Sequence, residues 1–226
     1  MLSTEDLTAL WLTLKLAAVV TSILLLICMP FAYWLAKSKW RFKFVIEALV
    51  AMPLVLPPTV LGFYLLVLLS PNGAFGSALS TVGLGNIAFS FTGLVIGSCI
   101  YSLPFVVQPL QNSFAAIQSR PLEVAASLGA SKIQRFVTII LPLIKPGLIS
   151  AAVLGFAHTM GEFGVVLMIG GNIPGETQVV SIAIYDHVES LQYQQAHWLA
   201  ATLLTISFVL LMVVYAANKR FRLGSQ

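Results

Sequence analysis

The sequence predicts an all-α integral membrane protein of about five transmembrane helices, with one long loop exposed to the cytoplasm. Three observations point there. Of the 226 residues, 58% are hydrophobic and 9% charged, and the mean hydropathy of +0.95 lies far above that of soluble domains. Several apolar runs reach the roughly 20 residues a helix needs to cross about 30 Å of hydrocarbon. The basic residues gather on one set of the connections between those runs.

Five runs read as spans within a single membrane domain, 1–226. They cover about 9–36, 45–69, 91–112, 146–169 and 196–217, with a loop at about 113–145. Eleven of the twelve Lys and Arg fall on one side: Lys37, Lys39, Arg41 and Lys43; Arg120, Lys132, Arg135 and Lys145; Lys219, Arg220 and Arg222. The other side carries Glu5, Asp6, Glu176, Asp186 and Glu189. Lys15, near the end of the first span, can snorkel to the interface. The positive-inside rule then puts the N-terminus outside, and the 113–145 loop and the C-terminus in the cytoplasm. Trp11, Trp34, Trp40 and Trp198 fall at or near the expected interfaces.

The leader MLSTEDL is acidic and the apolar run after it is long, so the first span is expected to be retained, not cleaved as a signal peptide. Cys28 and Cys99 lie in different spans and read as packing residues. The net charge of +4 comes from the cytoplasmic loops and fits contact with anionic lipid heads, not nucleic acid.

The spans look unsuited to simple anchoring. Pro53, Pro57 and Pro58 interrupt the second, and Pro104 and Pro109 the third. Each removes a helical donor, which is tolerated at depth where protein or a watery cavity surrounds the backbone. Gly93 and Gly97 form a GxxxG pair, and Ala151, Gly155 and Thr159 a ladder of small residues suited to close packing. Proline and glycine are also common in membrane helices, so packing alone is the second reading. No phosphate-binding loop, HExxH or GxSxG motif is present. Neither a catalytic centre, a metal site nor a cofactor is expected, and uphill transport would draw its energy from elsewhere.

Glu123 to Gly147, EVAASLGASKIQRFVTIILPLIKPG, is the unusual segment. Pro121 suits the first turn of a helix, and Glu123 complements the positive end of its dipole. Leu122, Ala125, Ala126 and Gly129 recur at helical spacing and give a shallow apolar face. Gly129 is a natural helix stop, and Ser131 with Gln134 forms a capping box that starts a second helix, KIQRFVTII. Two short helices on the membrane surface follow. They either dock another protein or pack on the chain's own spans.

Glu123, Ala125, Ala126 and Gly129, followed by Ile140, Leu141 and Pro142, resemble the EAA loop of permease subunits from bacterial ABC importers. The sequence departs from that pattern by Val124 and by ILP in place of I-x-L-P. The stretch PLVLPPTVLGFYLL, GEFG at 161–164, and GNIPGET with QVVSIAIYD look like the molybdate permease branch, which includes tungstate importers and is related to sulfate permeases. The resemblance implies the ABC importer permease fold and a homodimer bound to two cytoplasmic ATPase subunits. It also implies an extracytoplasmic substrate-binding protein and molybdate, or a similar oxyanion, as the substrate. The coupling residues would be Leu122, Glu123, Ala125, Ala126, Gly129, Leu141 and Pro142. Sulfate or thiosulfate is the second substrate reading. From another class comes a membrane enzyme or assembly factor with a docking loop.

Within the spans, Glu162 is an ionisable residue where such residues are costly, and His158 precedes it by one helical turn, close enough to pair. Glu162 is expected either to serve the gate or pathway, with His158, Gly161, Gly164 and Gln178, or to cap unwound backbone around Gly161 and Gly164. Asn72, Ser90, Gln108, Gln111, Asn112 and Thr159 are further polar candidates along the pathway.

Overall fold

In the computed structural model the described residues are 2–71, 73, 76–77 and 87–223, and they form helices and short connections without a strand among them. Helix α1, Thr4–Lys37, starts on a reciprocal cap: Asp6 N–H donates to the Ser3 hydroxyl and Ser3 N–H donates to the Asp6 carboxylate. Leu16, Val20, Leu24, Cys28 and Leu35, spaced at helical intervals, bury one face of α1. They pack with Leu94, Val106, Leu110 and Phe114 of α4, Phe91–Ala115, and with Ile144 and Ala151 of α7, Leu141–Met160. These three helices enclose the main core. At the basic end, Lys37 donates to the Ile117 carbonyl at 2.8 Å and ties α1 to the exit of α4.

The proline-interrupted span expected over 45–69 is two helices: α2, Lys43–Val55, and α3, Pro58–Leu69, meet at 112°. Consecutive prolines explain the bend. A proline excludes the residue before it from the α region, and both Leu56 (ψ 136°) and Pro57 (ψ 134°) are extended. Pro58 then opens α3, where its missing N–H leaves no helical bond unmade. Inside α4, by contrast, Pro104 and Pro109 are accommodated without a break.

A second difference concerns the 113–145 loop and the span expected at 146–169. The loop holds α5, Ser119–Ser127, and α6, Lys132–Arg135, but α6 is no separate surface helix. It runs through a π turn at Phe136–Ile140 directly into α7, so Lys132–Met160 is one span-length stretch of 29 residues. Pro142 supplies the reason. It has no N–H for the Thr138 carbonyl, and the turn widens so that Leu141 N–H bonds Phe136 O instead. The span then ends early, at Met160. Residues 161–163 leave the helix before α8, Gly164–Gly170.

Small residues set the closest approaches. A Cβ on Gly155 would stand 2.7 Å from Val106 Cγ2, and one on Gly97 would stand 2.5 Å from Ile169 Cδ1. The ladder of small residues thus seats α7 on α4, and the GxxxG pair seats α4 on α8. On the acidic side lie α9, Val180–Glu189, and the start of α10, Tyr193–Leu223. Thr13 of α1 accepts the Val180 N–H at 2.9 Å and so caps α9 from another helix. Cys28 is buried and Cys99 half-buried, both as free thiols.

Candidate functional site

The break after α7 opens a cleft of about 460 Å³. Its walls bring together His158, Gly161, Glu162 and Gly164 from the chain's own break, Pro58 and Thr59 from the start of α3, and Tyr101 from α4. Two helix interruptions, one made by prolines and one by glycines, therefore face a common space. Irregular backbone at membrane depth is tolerated where it lines such a cavity.

Glu162 is 4% exposed, and neither carboxyl oxygen has a hydrogen-bond partner. The expected cap of unwound backbone is thus not formed. Ser98, likewise buried, turns its hydroxyl toward the carboxyl as a donor, but short of a well-formed hydrogen bond. Nor do His158 and Glu162 pair. Gly161 (φ −91°, ψ 1°) ends α7 between them, so the one-turn register that would have stacked them is lost. His158 turns to α4 instead: Nδ1 lies 2.9 Å from Ser102 Oγ, and the ring stacks on Phe105 at 3.8 Å between centroids, with Tyr101 at 4.8 Å. Thr159 extends that network, 3.0 Å from Ser102 Oγ, and donates to the Gly155 carbonyl.

Gln178 lies apart from the cleft. It donates to Asp186 Oδ2 at 2.8 Å, and Asn172 donates to both oxygens of the same carboxylate. Asp186 thereby stitches the GNIPGET turn to α9. Inside that turn the buried Thr177 hydroxyl donates to Gly170 O and accepts from Ile173 N–H. Of the other polar candidates, Ser90 caps α4 and Gln111 donates to Glu47, while Asn72 lies outside the described residues. Sequence reasoning missed Thr59, Tyr101 and Ser102. Pro-Pro-Thr at the break was the one signal available for Thr59; nothing local marks the two α4 residues, which matter only through their contacts with α7.

The loop forms a second candidate site. Just past the end of α5, Gly129 takes the left-handed region (φ 83°), and the Ser131–Gln134 capping box starts α6. The exposed face differs from the expected one. Leu122 and Ala125 are half-buried, Leu122 against the main core, whereas Val124 (58% exposed), Leu128 (83%) and Ile133 (77%) project outward. Glu123, Ala126 and Gly129 are exposed beside them, as is Pro142, while Leu141 is half-buried. The bulkier side chains moved the face: Leu122 is taken up by the core, and Val124 and Leu128, one turn apart, are left over.

Residues 28–222 match the family described as binding-protein-dependent transport system inner membrane component. The chain is 56% identical to the molybdenum transport system permease protein ModB of Azotobacter vinelandii, across 99% of this chain and 98% of that one. It is 37% identical to ModB of Haemophilus influenzae over 79% of each chain, and 31% identical to the sulfate transport system permease protein CysT of Salmonella typhimurium over 84% of this chain and 68% of that one. Among solved structures, a bacterial alginate ABC transporter in complex with its periplasmic protein superposes with a TM-score of 0.77 at 18% identity, covering 96% of this chain and 80% of that one. The MetNI methionine ABC transporter superposes with a TM-score of 0.69 at 15% identity, over 94% of each. At those identities the likeness is one of fold.

Proposed function

The chain belongs to the inner membrane component family of binding-protein-dependent transport systems, and from that premise we propose that it is the permease subunit of an ATP-driven importer of molybdate. The observation that carries the substrate is the 56% identity with a molybdenum permease along nearly the whole of both chains, against 31% with a sulfate permease. Two copies of the chain form the translocation path, with the N-terminus outside. A binding protein delivers the oxyanion to the acidic side, and two ATPase subunits seat on the basic side. Tungstate shares the charge and tetrahedral shape of molybdate and travels with it.

The coupling reading is supported by Val124, Leu128 and Ile133, three large apolar side chains exposed on a loop bounded by basic residues. An ATPase groove that covers them removes that apolar area from water. The pull is passed on by a short route. Arg135 Nη1 donates to Leu122 O at 3.5 Å, joining α5 to α6, and the 29-residue stretch from α6 through α7 reaches the Glu162 cleft. At 1.5 Å per residue such a lever is about 43 Å long. Movement at the loop is thereby delivered to the break at 161–163.

Within the cleft, Glu162 serves the gate and not the binding of substrate. A carboxyl group offers a divalent oxyanion no positive charge, and no Lys or Arg lines the cleft to hold one. Weak holding favours release, leaving affinity to the binding protein. The test is deletion of the gene followed by elemental mass spectrometry of cell-associated molybdenum and tungsten, beside labelled sulfate uptake. Loss of the two metals with sulfate unchanged is the expected result; loss of sulfate alone would overturn the substrate.

A further inference from the structure

A second cavity, of about 360 Å³, lies on the basic side between the end of α1 and the loop helices. It is lined by Tyr33, Leu122, Lys132, Arg135, Phe136 and Ile140. Its charge is one-sided, with two cations and no carboxylate. Among the described residues no acidic group lies within ion-pair distance of either cation. Arg135 spends one N–H on the Leu122 carbonyl, while its Nε is buried without an acceptor. A guanidinium donor left unpaired in a buried place is costly, and its planar fork matches two oxygens of a phosphate. The other half of the cavity, Leu122, Phe136 and Ile140, is apolar.

We propose that this cavity binds the phosphate of an anionic phospholipid, with Arg135 and Lys132 on the phosphate oxygens, the Tyr33 hydroxyl beside them and acyl carbons against the apolar wall. Its aromatic neighbours support a lipid over a free ion. Tyr33 adjoins Trp34, whose ring lies 6.4 Å from that of Trp40, an aromatic cluster of the kind that marks the headgroup level. Inorganic phosphate offers the same oxygens but leaves the half-buried Leu122 and Phe136 uncovered. Basic pockets between helices on the cytoplasmic side suit acidic headgroups; this step rests on the orientation proposed above. A lipid there touches α1, α5 and α6 together, and so fixes the loop to the leaflet against which it must move.

The test is native mass spectrometry of the full-length protein, extracted from membranes with its bound partners, with phosphatidylglycerol or phosphatidylcholine titrated in. We expect phosphatidylglycerol to be retained preferentially. Paired replacement by Lys132→Gln and Arg135→Gln weakens retention roughly thirtyfold, at about one tenfold step per 1.4 kcal/mol and about 1 kcal/mol per cation. Lys132→Gln alone, at an exposed position, weakens it roughly fivefold by the same arithmetic. Arg120→Gln, outside the cavity, leaves it unchanged. Equal retention by the variants, equal retention of phosphatidylcholine, or displacement by millimolar inorganic phosphate would each overturn the proposal. Lipid retention is read without any transport substrate, so its failure leaves the oxyanion reading standing, and the converse holds.

Discussion

Gly164 and Pro58 are in direct contact: a Cβ on the glycine would stand 2.7 Å from the Cβ of the proline, and 3.4 Å from the proline's carbonyl carbon and the Thr59 nitrogen. Both helix interruptions are therefore locked to each other at the mouth of the cleft. The proline ring cannot rotate away as a flexible side chain would.

Gly164→Ala should accordingly push α8 off α3. Overpacking of this kind costs about 1–3 kcal/mol, so thermal unfolding of the purified protein should move down by several degrees. Uptake should fall further than stability, because the displaced wall belongs to the Glu162 cleft. Unchanged stability would mean that α3 and α8 separate without penalty and that the two breaks are not coupled.

Glu162→Gln separates structure from transport. The carboxyl has no well-formed hydrogen bond, only the Ser98 hydroxyl facing it, so a neutral amide of the same shape, still able to accept from Ser98, removes little stabilising contact. The variant should unfold at the same temperature or higher, while uptake drops. A buried ionisable group that the fold does not need is retained for function. A lower unfolding temperature with normal uptake would return Glu162 to a structural role.

Much of this was legible in sequence, and the misses have local causes. Hydropathy and charge marked the apolar helices, and the Ser131–Gln134 box and Gly129 marked the joints of the loop, because capping is written within four residues. The His158–Glu162 pair failed because helical spacing holds only while the helix continues, and Gly161 ends it. The expected exposure of Leu122 and Ala125 failed for a different reason: spacing says which residues share a side, not which side a neighbouring core will claim. Leu122 went to that core, and Ser102 and Tyr101 had no signal because their partners lie on another helix.

The loop face yields a paired prediction. Leu128→Asp and Ile133→Asp replace exposed side chains that touch little of their own chain, so the permease should fold normally and lose at least tenfold in co-purified ATPase. Leu122→Asp gives up half-buried packing against the core and should lower stability by about 1–2 kcal/mol, because Lys132 and Arg135 of the same cavity offset part of the charge's cost. Co-purification that survives both exposed substitutions would move the ATPase contact elsewhere on the basic side.

The last prediction concerns pH on the acidic side. His187 Nε2 lies 2.8 Å from Asp6 Oδ1 and Nδ1 lies 3.1 Å from Gln192 Oε1, with Asp186 contributing further negative charge. The hydrogen bond to Asp6, foremost, raises the imidazole above its ordinary value of 6.5 in spite of partial burial. A group whose folded pKa is raised contributes stability in full below its unfolded pKa and loses it as pH rises through the folded one. The tie between α9 and the start of α1 should therefore hold in full below the imidazole's unfolded value and slacken as pH rises through its raised folded value. Hydrogen exchange of the α9 amides should rise across that window beyond its intrinsic pH dependence. His187→Gln should remove the excess while leaving the Asp186 contacts to Asn172 and Gln178 in place. An identical pH profile in wild type and variant would show that the pair stays associated whether or not the imidazole is charged.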